Sequence, residues 1–451
     1  MQKIVLRNFG PIQEATIELK GLTVLIGEQA SGKSTVAKLI YFFKTFKNDL
    51  FNLVRYDSQS VEDPLNKEAF LERVKSDLIY KFNIYFGDID KLSDDYSLEF
   101  FYLNPTSNFV DPSRIIETRI SISGKPLKIN FDEGTIKTIK SISADISISN
   151  RYTESKSFKA FDYLEKRLKD FLNLRFNDNY EPLYIPAGRN ISVSYPQEFK
   201  DFFLSGKSLS GSIPQKTIDR ELMQAFLGRV STIQDRFNNT NFQQLSEKQH
   251  VYPNLIKEAA KLITLVLKGT YSNIGGVGEG IKPIGSPHVI PINQASSGQQ
   301  EALRILQDIF LCLLDRKSVF RIIEEPEAHL FPIAQSQMIK LFSLLIGSDS
   351  NQILITTHSP YILSYLNNLL FAWTVGHIQP RAENKIAIES RLNPEKFGAY
   401  VLRDGHSQSI FDTETGLIDR NYLDEVFEEI GFEYDALYDV YADFITSNGN
   451  H

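Results

Sequence analysis

The chain has 451 residues, a formal net charge of −7, and 42% hydrophobic against 23% charged residues, an ordinary balance for a globular protein with a large core. No window approaches the roughly 18 uninterrupted apolar residues of a membrane helix, and the opening MQKIVLRNFGPIQ lacks the basic-then-apolar pattern of a signal peptide, so no membrane role and a cytoplasmic location are expected. The single cysteine, Cys312, excludes a disulfide framework and a cysteine-cluster metal site, and the acidic balance argues against indiscriminate coating of nucleic acid.

In chain order, strand-like alternation covers Lys3–Phe9, Ala15–Leu19 and Leu22–Ile26, with Gly10-Pro11 and Lys20-Gly21 as turns. A helix is predicted from about Lys33 to Phe46. Residues 48–180 mix a charged helical stretch near 65–82, strand-like pieces at Ser97–Leu103, Ile116–Ser123 and Leu127–Phe131, and a basic helix over Phe158–Leu174. These read as an antiparallel lobe with a helical arm. Leu183–Pro186 is one further core strand, residues 194–267 are mainly helical, and 269–294 return to glycine-punctuated strands. From 298 to 375 helices and strands alternate, which implies a parallel sheet with crossovers.

Gly27-Glu28-Gln29-Ala30-Ser31-Gly32-Lys33-Ser34-Thr35 fits the phosphate-binding pattern G-x-x-x-x-G-K-[ST]. It follows an apolar strand and opens a helix, which is the context the chemistry requires. Successive backbone N–H groups and the helix N-terminus face the phosphates, Lys33 reaches the β- and γ-phosphates, and Ser34 offers a hydroxyl to Mg²⁺.

Further along, the apolar strand Val319–Ile323 ends in Glu324-Glu325-Pro326-Glu327, where α/β sheets place their ligands. Glu324 is a candidate Mg²⁺ ligand and Glu325 a candidate to polarise the attacking water. The plainer reading is an acidic first turn of a helix starting near Ala328. Ser296, Ser297, Gly298 and Gln299 stand at a helix start and suit either an anion or simple capping. The strand Gln352–Thr356 leads to Thr357-His358-Ser359-Pro360, and His358 is either a γ-phosphate contact or a satisfied loop histidine.

Taken in order, Gly27–Thr35, Ser296–Gln299, Ile322–Glu325 and Thr357-His358 resemble the Walker A, signature, Walker B and switch-histidine segments of the ABC-ATPase superfamily. Leu6-Arg7-Asn8-Phe9-Gly10-Pro11-Ile12 and Glu324–Leu330 look like its RecF/SMC/OLD side. The resemblance implies an α/β fold: an ABC-type ATPase head with a mixed or parallel P-loop sheet, an antiparallel β lobe and a short helical arm insertion. It implies this division: 1–47, the start of lobe I with the P-loop; 48–190, the rest of lobe I with its insertions; 191–268, a helical arm; 269–380, lobe II; and 381–451, a β hairpin with an acidic helical tail.

The resemblance also implies ATP hydrolysis with Mg²⁺ in a head-to-head homodimer or higher homo-oligomer. Ser297 and Gly298 would contact the γ-phosphate held by the opposite copy, Pro326–Leu330 would cross the interface, Glu325 would act as base and His358 as phosphate sensor. Glu324 stands where Asp is usual, Ser297 where Gly is commonest, and Arg189 where a coupling glutamine is expected. After His358 there is no Asp-x-Asp cluster of a TOPRIM nuclease. A stand-alone ATPase of this kind resembles the ATPase components of anti-phage systems such as PARIS and Septu, which implies a separately encoded nuclease effector as partner.

Two other readings are a RecF-like repair ATPase that binds DNA, with Lys166, Arg167, Lys169 and Arg175 as its basic stripe, and the ATPase subunit of a transporter. Residues 421–451 contain no Lys or Arg, and their acids alternate with Leu423, Val426, Phe427, Ile430 and Leu437, the pattern of an amphipathic surface helix or a docking element.

Overall fold

A computed structural model of the chain describes residues 2–57, 67–87, 93–102, 118–125, 127–141, 158–194, 217–248, 251–274, 278–348, 351–378, 386–419, 431–432 and 434–440. The strand-like pieces at Leu103 and Ile116–Glu117, and most of the acidic tail, lie outside them.

Eleven strands form one sheet: β1 (Gln2–Phe9), β2 (Ile12–Leu19), β3 (Leu22–Ile26), β4 (Ser97–Tyr102), β5 (Thr118–Ser123), β6 (Lys128–Phe131), β7 (Glu181–Ile185), β11 (Val319–Glu324), β12 (Gln352–Thr357), β13 (Phe397–Arg403) and β14 (His406–Ser409). β8 (Gly269–Ile274), β9 (Gly278–Pro283) and β10 (Ile290–Pro291) make a separate three-stranded sheet. The order across the large sheet is β6-β5-β4-β1-β2-β14-β13-β3-β12-β11-β7.

The sheet has two characters. β13, β3, β12, β11 and β7 run parallel, and every residue of β3 and β11 is buried, as expected where both faces are covered. β2-β1-β4-β5-β6 is an antiparallel wing in which β4 and β5 alternate between buried and half-buried residues.

Helices cover both faces. α1 (Lys33–Asp57), α2 (Lys67–Phe86) and α3 (Phe158–Arg175) lie on the side of the wing. α4 (Ile191–Ser194), α5 (Ile218–Arg236), α6 (Phe242–Glu247), α7 (Pro253–Leu267), α8 (Ser297–Asp315), α9 (Pro332–Ser348) and α10 (Pro360–Ile378) follow. Alternate residues of single strands feed opposite cores: Val24, Ile26 and Ile323 pack with α7–α10, whereas Leu25, Ile322 and Leu354 pack with α1 and the wing.

Among the boundaries that differ from the sequence expectation, two have a specific physical cause. α1 continues to Asp57 rather than Phe46, because Phe46 and Leu50 keep its apolar face buried for another turn. The helix expected near Ala328 begins at Pro332, because Glu325 (φ 41°) and His329 (φ 59°) take left-handed conformations that no helix accommodates.

Candidate functional site

The ends of β3, β12 and β11 are neighbours in the sheet, so the segments that follow them converge at one edge. After β3 comes the loop 27–32. A Cβ on Gly27 would sit 2.3 Å from the Leu402 carbonyl oxygen of β13, so only glycine lets the loop pass under that strand. Glu28 and Ala30 are exposed, Ala30 at φ 63°, and the Val36 N–H bond to Gly32 O (3.0 Å) starts α1. Ser34 is exposed at this helix start and Thr35 is half-buried.

The Lys33 ammonium is folded over its own loop. It donates to Gly27 O (2.9 Å), Glu28 O (2.6 Å) and Ser31 Oγ (3.3 Å). Burial lowers its pKa, and the charges of Glu325 and Glu327 oppose that shift. A phosphate arriving here therefore exchanges neutral carbonyl partners for charged ones, a stronger class of hydrogen bond.

β11 delivers Glu324 with both carboxylate oxygens engaged: Oε1 accepts from Tyr184 OH (2.7 Å) and Oε2 from Ala187 N (3.0 Å). Burial and the Glu324 charge raise the Tyr184 pKa well above its ordinary value, which keeps that phenol a donor. An ionised carboxylate has about four acceptor positions, so Glu324 retains lone pairs for a cation or its waters. Among the described residues no group of three or more His, Cys, Asp or Glu is placed to hold a metal by itself. A Mg²⁺ ion, which binds through one or two protein oxygens together with phosphate and water, fits such a sparse set.

Glu325 is half-exposed with its carboxylate 3.3 Å from His358 Nε2, at a left-handed backbone position of the kind that clusters at functional sites. Its N–H donates to Thr356 O (2.9 Å), which ties the turn to β12. Glu327 fixes the neighbouring segment: Oε1 accepts from Thr357 Oγ1 (2.5 Å) and from His358 N (2.9 Å), while Oε2 is buried without a hydrogen-bond partner. Burial raises the Glu327 pKa against those hydrogen bonds.

A residue that the sequence suggested only by its unexpected place holds these pieces together. Arg189 is fully buried. Nη1 donates to Pro186 O (3.1 Å) and Glu324 O (2.7 Å), Nη2 to Glu325 O (3.0 Å), and Nε to Glu301 O (3.0 Å). Glu301 Oε2 adds an ion pair at 3.3 Å. One guanidinium thus fastens the end of β7, the Glu324–Glu325 turn and the first turns of α8.

At the start of α8, Ser296 and Gln299 form a reciprocal capping box: Gln299 N donates to Ser296 Oγ (3.4 Å) and Ser296 N to Gln299 Oε1 (3.1 Å). Gln299 Nε2 also donates to Leu267 O (2.7 Å), so this side chain is committed to the fold. Ser297 is exposed. A Cβ on Gly298 would lie 2.4 Å from His329 O, which seats the helix start against the turn after Glu327. None of the hydrogen bonds among the described residues joins 296–299 to 27–35. Lys33, Ser34, Glu324, Glu325 and His358 are therefore grouped at one edge, and Ser296–Gln299 adjoins them where Gly298 packs against His329 O.

Residues 1–363 match the AAA ATPase domain family, which spans every segment just described. The chain belongs to that family. As an AAA ATPase domain protein it is an ATPase, and its nucleotide is ATP. No curated protein matches the chain. Among solved structures it is similar to the SmcHead bound to the C-winged helix domain of ScpA, at 12% identity and TM-score 0.41, covering 92% of this chain and 98% of that one. It is also similar to the Smc head domain with an extended coiled coil bound to the C-terminal domain of ScpA from Pyrococcus furiosus (12%, TM-score 0.39, 95% and 100%). The SMC head domain from Thermotoga maritima follows at 11%, TM-score 0.33, 90% and 97%. Among the described residues of this AAA ATPase domain protein, no helix is long and apolar enough to cross a membrane.

Proposed function

We propose that the chain binds ATP with Mg²⁺ in the 27–35 loop and hydrolyses it in a site that two copies complete, head to head. In this reading the loop N–H groups and Lys33 hold the phosphates. Ser34 and Glu324 hold the cation, directly or through water, and Glu325 orients the attacking water. His358 senses the γ-phosphate, and Ser296–Gln299 of the opposite copy, with Ser297 outermost, caps it. Phosphoryl transfer asks for little beyond such positioning and charge neutralisation. One observation carries the two-copy arrangement: the helix start at Ser297 is exposed yet has no bond to the loop of its own chain, while the remaining groups are already assembled there. Exposed Phe331, Ile333 and Tyr361, at the starts of α9 and α10, provide apolar surface for such a contact.

The division into lobe I, helical arm and lobe II, with the sequence boundaries given above, belongs to the same reading. So does the control of a separately encoded nuclease in anti-phage defence, which the sequence resemblance supports.

Subunit complementation tests the shared site. Lys33→Ala removes the cradle and keeps the Ser297 turn, whereas Ser297→Arg blocks the turn and keeps the cradle. Each variant alone is expected to be inactive. Mixed one to one, half the dimers hold one intact composite site, which restores about a quarter of the wild-type rate. If Ser297→Arg alone hydrolyses ATP at the wild-type rate, or the mixture stays inactive, the shared site is refuted.

A further inference from the structure

Two surfaces lie outside the proposed nucleotide site, and their charges are of opposite sign. The first is the helical stretch of residues 431–432 and 434–440. Phe432, Tyr434, Leu437, Tyr438 and Val440 are between 57% and 73% exposed, so the described chain does not cover this helix. Tyr434 and Tyr438 lie one turn apart with ring centroids 6.4 Å apart, and Leu437 continues their stripe. Asp435 and Asp439 flank it, within a segment (421–451) that contains no Lys or Arg. An amphipathic helix packed on its own domain hides its apolar stripe, and this one does not.

The second surface is a groove of about 580 Å³ between the later half of α1 and α3, with Phe51 and Leu172 in its lining and Lys47, Asn52, Lys166 and Lys169 around them. Lys166, Arg167 and Lys169 are exposed and make no ion pair among the described residues. Lys47 is held by Asn173 (3.0 Å) and Asp178, and burial, reinforced by the charges of Lys44 and Lys169, pushes it down to about 8. Glu165 is the single acid among the described residues of the lining. Among its described residues the groove offers an apolar floor beside the exposed positive charges of Lys166 and Lys169.

We propose that the acidic aromatic helix around Tyr434–Tyr438 of one copy docks in the lysine-rimmed α1/α3 groove of a second copy. Opposite charge gives the pair its orientation and the tyrosine stripe gives it buried apolar area. The occupant is a second copy because a second copy brings the complementary charge, and among the described residues of one chain nothing covers the helix. The second copy either returns the contact, which closes a two-fold pair, or passes it on to a third, which builds a ring or a filament. Passed on in addition to a two-fold head-to-head contact, it would build assemblies larger than a dimer.

The chain's own chemistry permits a clean test, because its only cysteine, Cys312, is buried and its thiol is pushed up to about 12. Full-length Tyr438→Cys carrying one tag is mixed with full-length Asn52→Cys carrying another, under mild oxidation. The expected product is a disulfide joining the two tags. It should be absent from either variant alone and lost when Lys166→Glu and Lys169→Glu are added to the Asn52→Cys chain. The wild-type assembly mass in solution should fall as salt is raised.

Lys33→Ala leaves this cross-link in place, so failure of the tail contact and failure of the shared nucleotide site read out separately. Three outcomes overturn the proposal. One is no cross-link between the tags. Another is a cross-link formed only within a single Tyr438→Cys/Asn52→Cys chain. The third is a cross-link unchanged by the lysine reversals while DNA binding disappears, which makes the groove a nucleic-acid surface.

Discussion

The two halves of the large sheet solve the same packing problem with different materials. In the wing, β4 and β5 alternate, and the core between them and α1 is filled by rings: Phe100 stacks on Phe43 at 5.2 Å and meets Tyr102 at 4.7 Å, while Phe42, Phe82 and Phe86 pack edge to face nearby. In the parallel half the strands are buried on both faces, and the elements around the site are fastened by buried ions. Arg189 ties β7 to α8, Arg321 meets Asp308 at 2.7 Å, and Arg304 of α8 meets Glu279 of the adjoining three-stranded sheet at 2.6 Å. Rings tolerate small shifts of one element against another, because dispersion is non-directional. A guanidinium with four directed bonds does not. At Arg189 a direction-sensitive brace holds the Glu324–Glu325 turn, whereas around Phe100 adaptable packing holds the wing.

That contrast can be broken most sharply at Arg189. Arg189→Lys keeps a cation but loses the fork that reaches Glu324 O and Glu325 O together. The expected result is a fall in kcat on the order of 10²-fold, as for small misplacements of catalytic groups, with ATP affinity nearly unchanged because the loop itself is untouched. A loss of affinity equal to the loss of kcat would show that the arginine merely supports the fold.

The complementary change in the wing is Phe100→Ala, which removes a fully buried ring. A stability loss of about 3–5 kcal/mol is expected in denaturant unfolding, with KM and kcat at wild-type values wherever the protein stays folded. Impaired turnover in the folded variant would show that the wing reaches the chemistry after all.

A smaller effect separates the ionic braces from the rings by pH. Arg304, Tyr271 and Gln234 overcome burial and hold the Glu279 carboxyl down to about 2. A lowered carboxylate pKa contributes stability above the unfolded value near 4.5, and that contribution is lost as pH falls toward 2. Its full size is about 3 kcal/mol. Glu279→Gln should therefore lose up to that amount near neutral pH and show a flatter stability profile between about pH 4.5 and 2. An unchanged profile would mean that this brace does not distinguish the two halves.

How far each part was legible in the sequence follows from the range of the interactions. The 27–35 loop, the β11 carboxylates and His358 are local: a strand, a turn and a helix within a dozen residues announce each of them. The capping box at Ser296 and Gln299 was equally readable, since its two hydrogen bonds span three residues. Arg189 was not, because its partners other than Pro186 lie more than a hundred positions away and nothing in Ala187–Asn190 signals a buried cation. Glu327 was hidden differently. It looks like part of an acidic helix start, and only the left-handed turns at Glu325 and His329 turn it toward Thr357 and His358. The parallel pairing of β13 with β3 has no local signature either, as it joins residues 397–401 to 22–26.

That last pairing sets the order in which the protein can be built. The loop at residues 27–35 precedes by several hundred residues the strand beside it (397–403) and the Leu402 carbonyl that lies against Gly27. Until residue 403 has left the ribosome, β3 is an edge strand with unpaired backbone groups facing solvent. The 27–35 loop is thus made well before it is walled in, and a product cut short before Phe397 would carry that loop without the enclosure that shapes it.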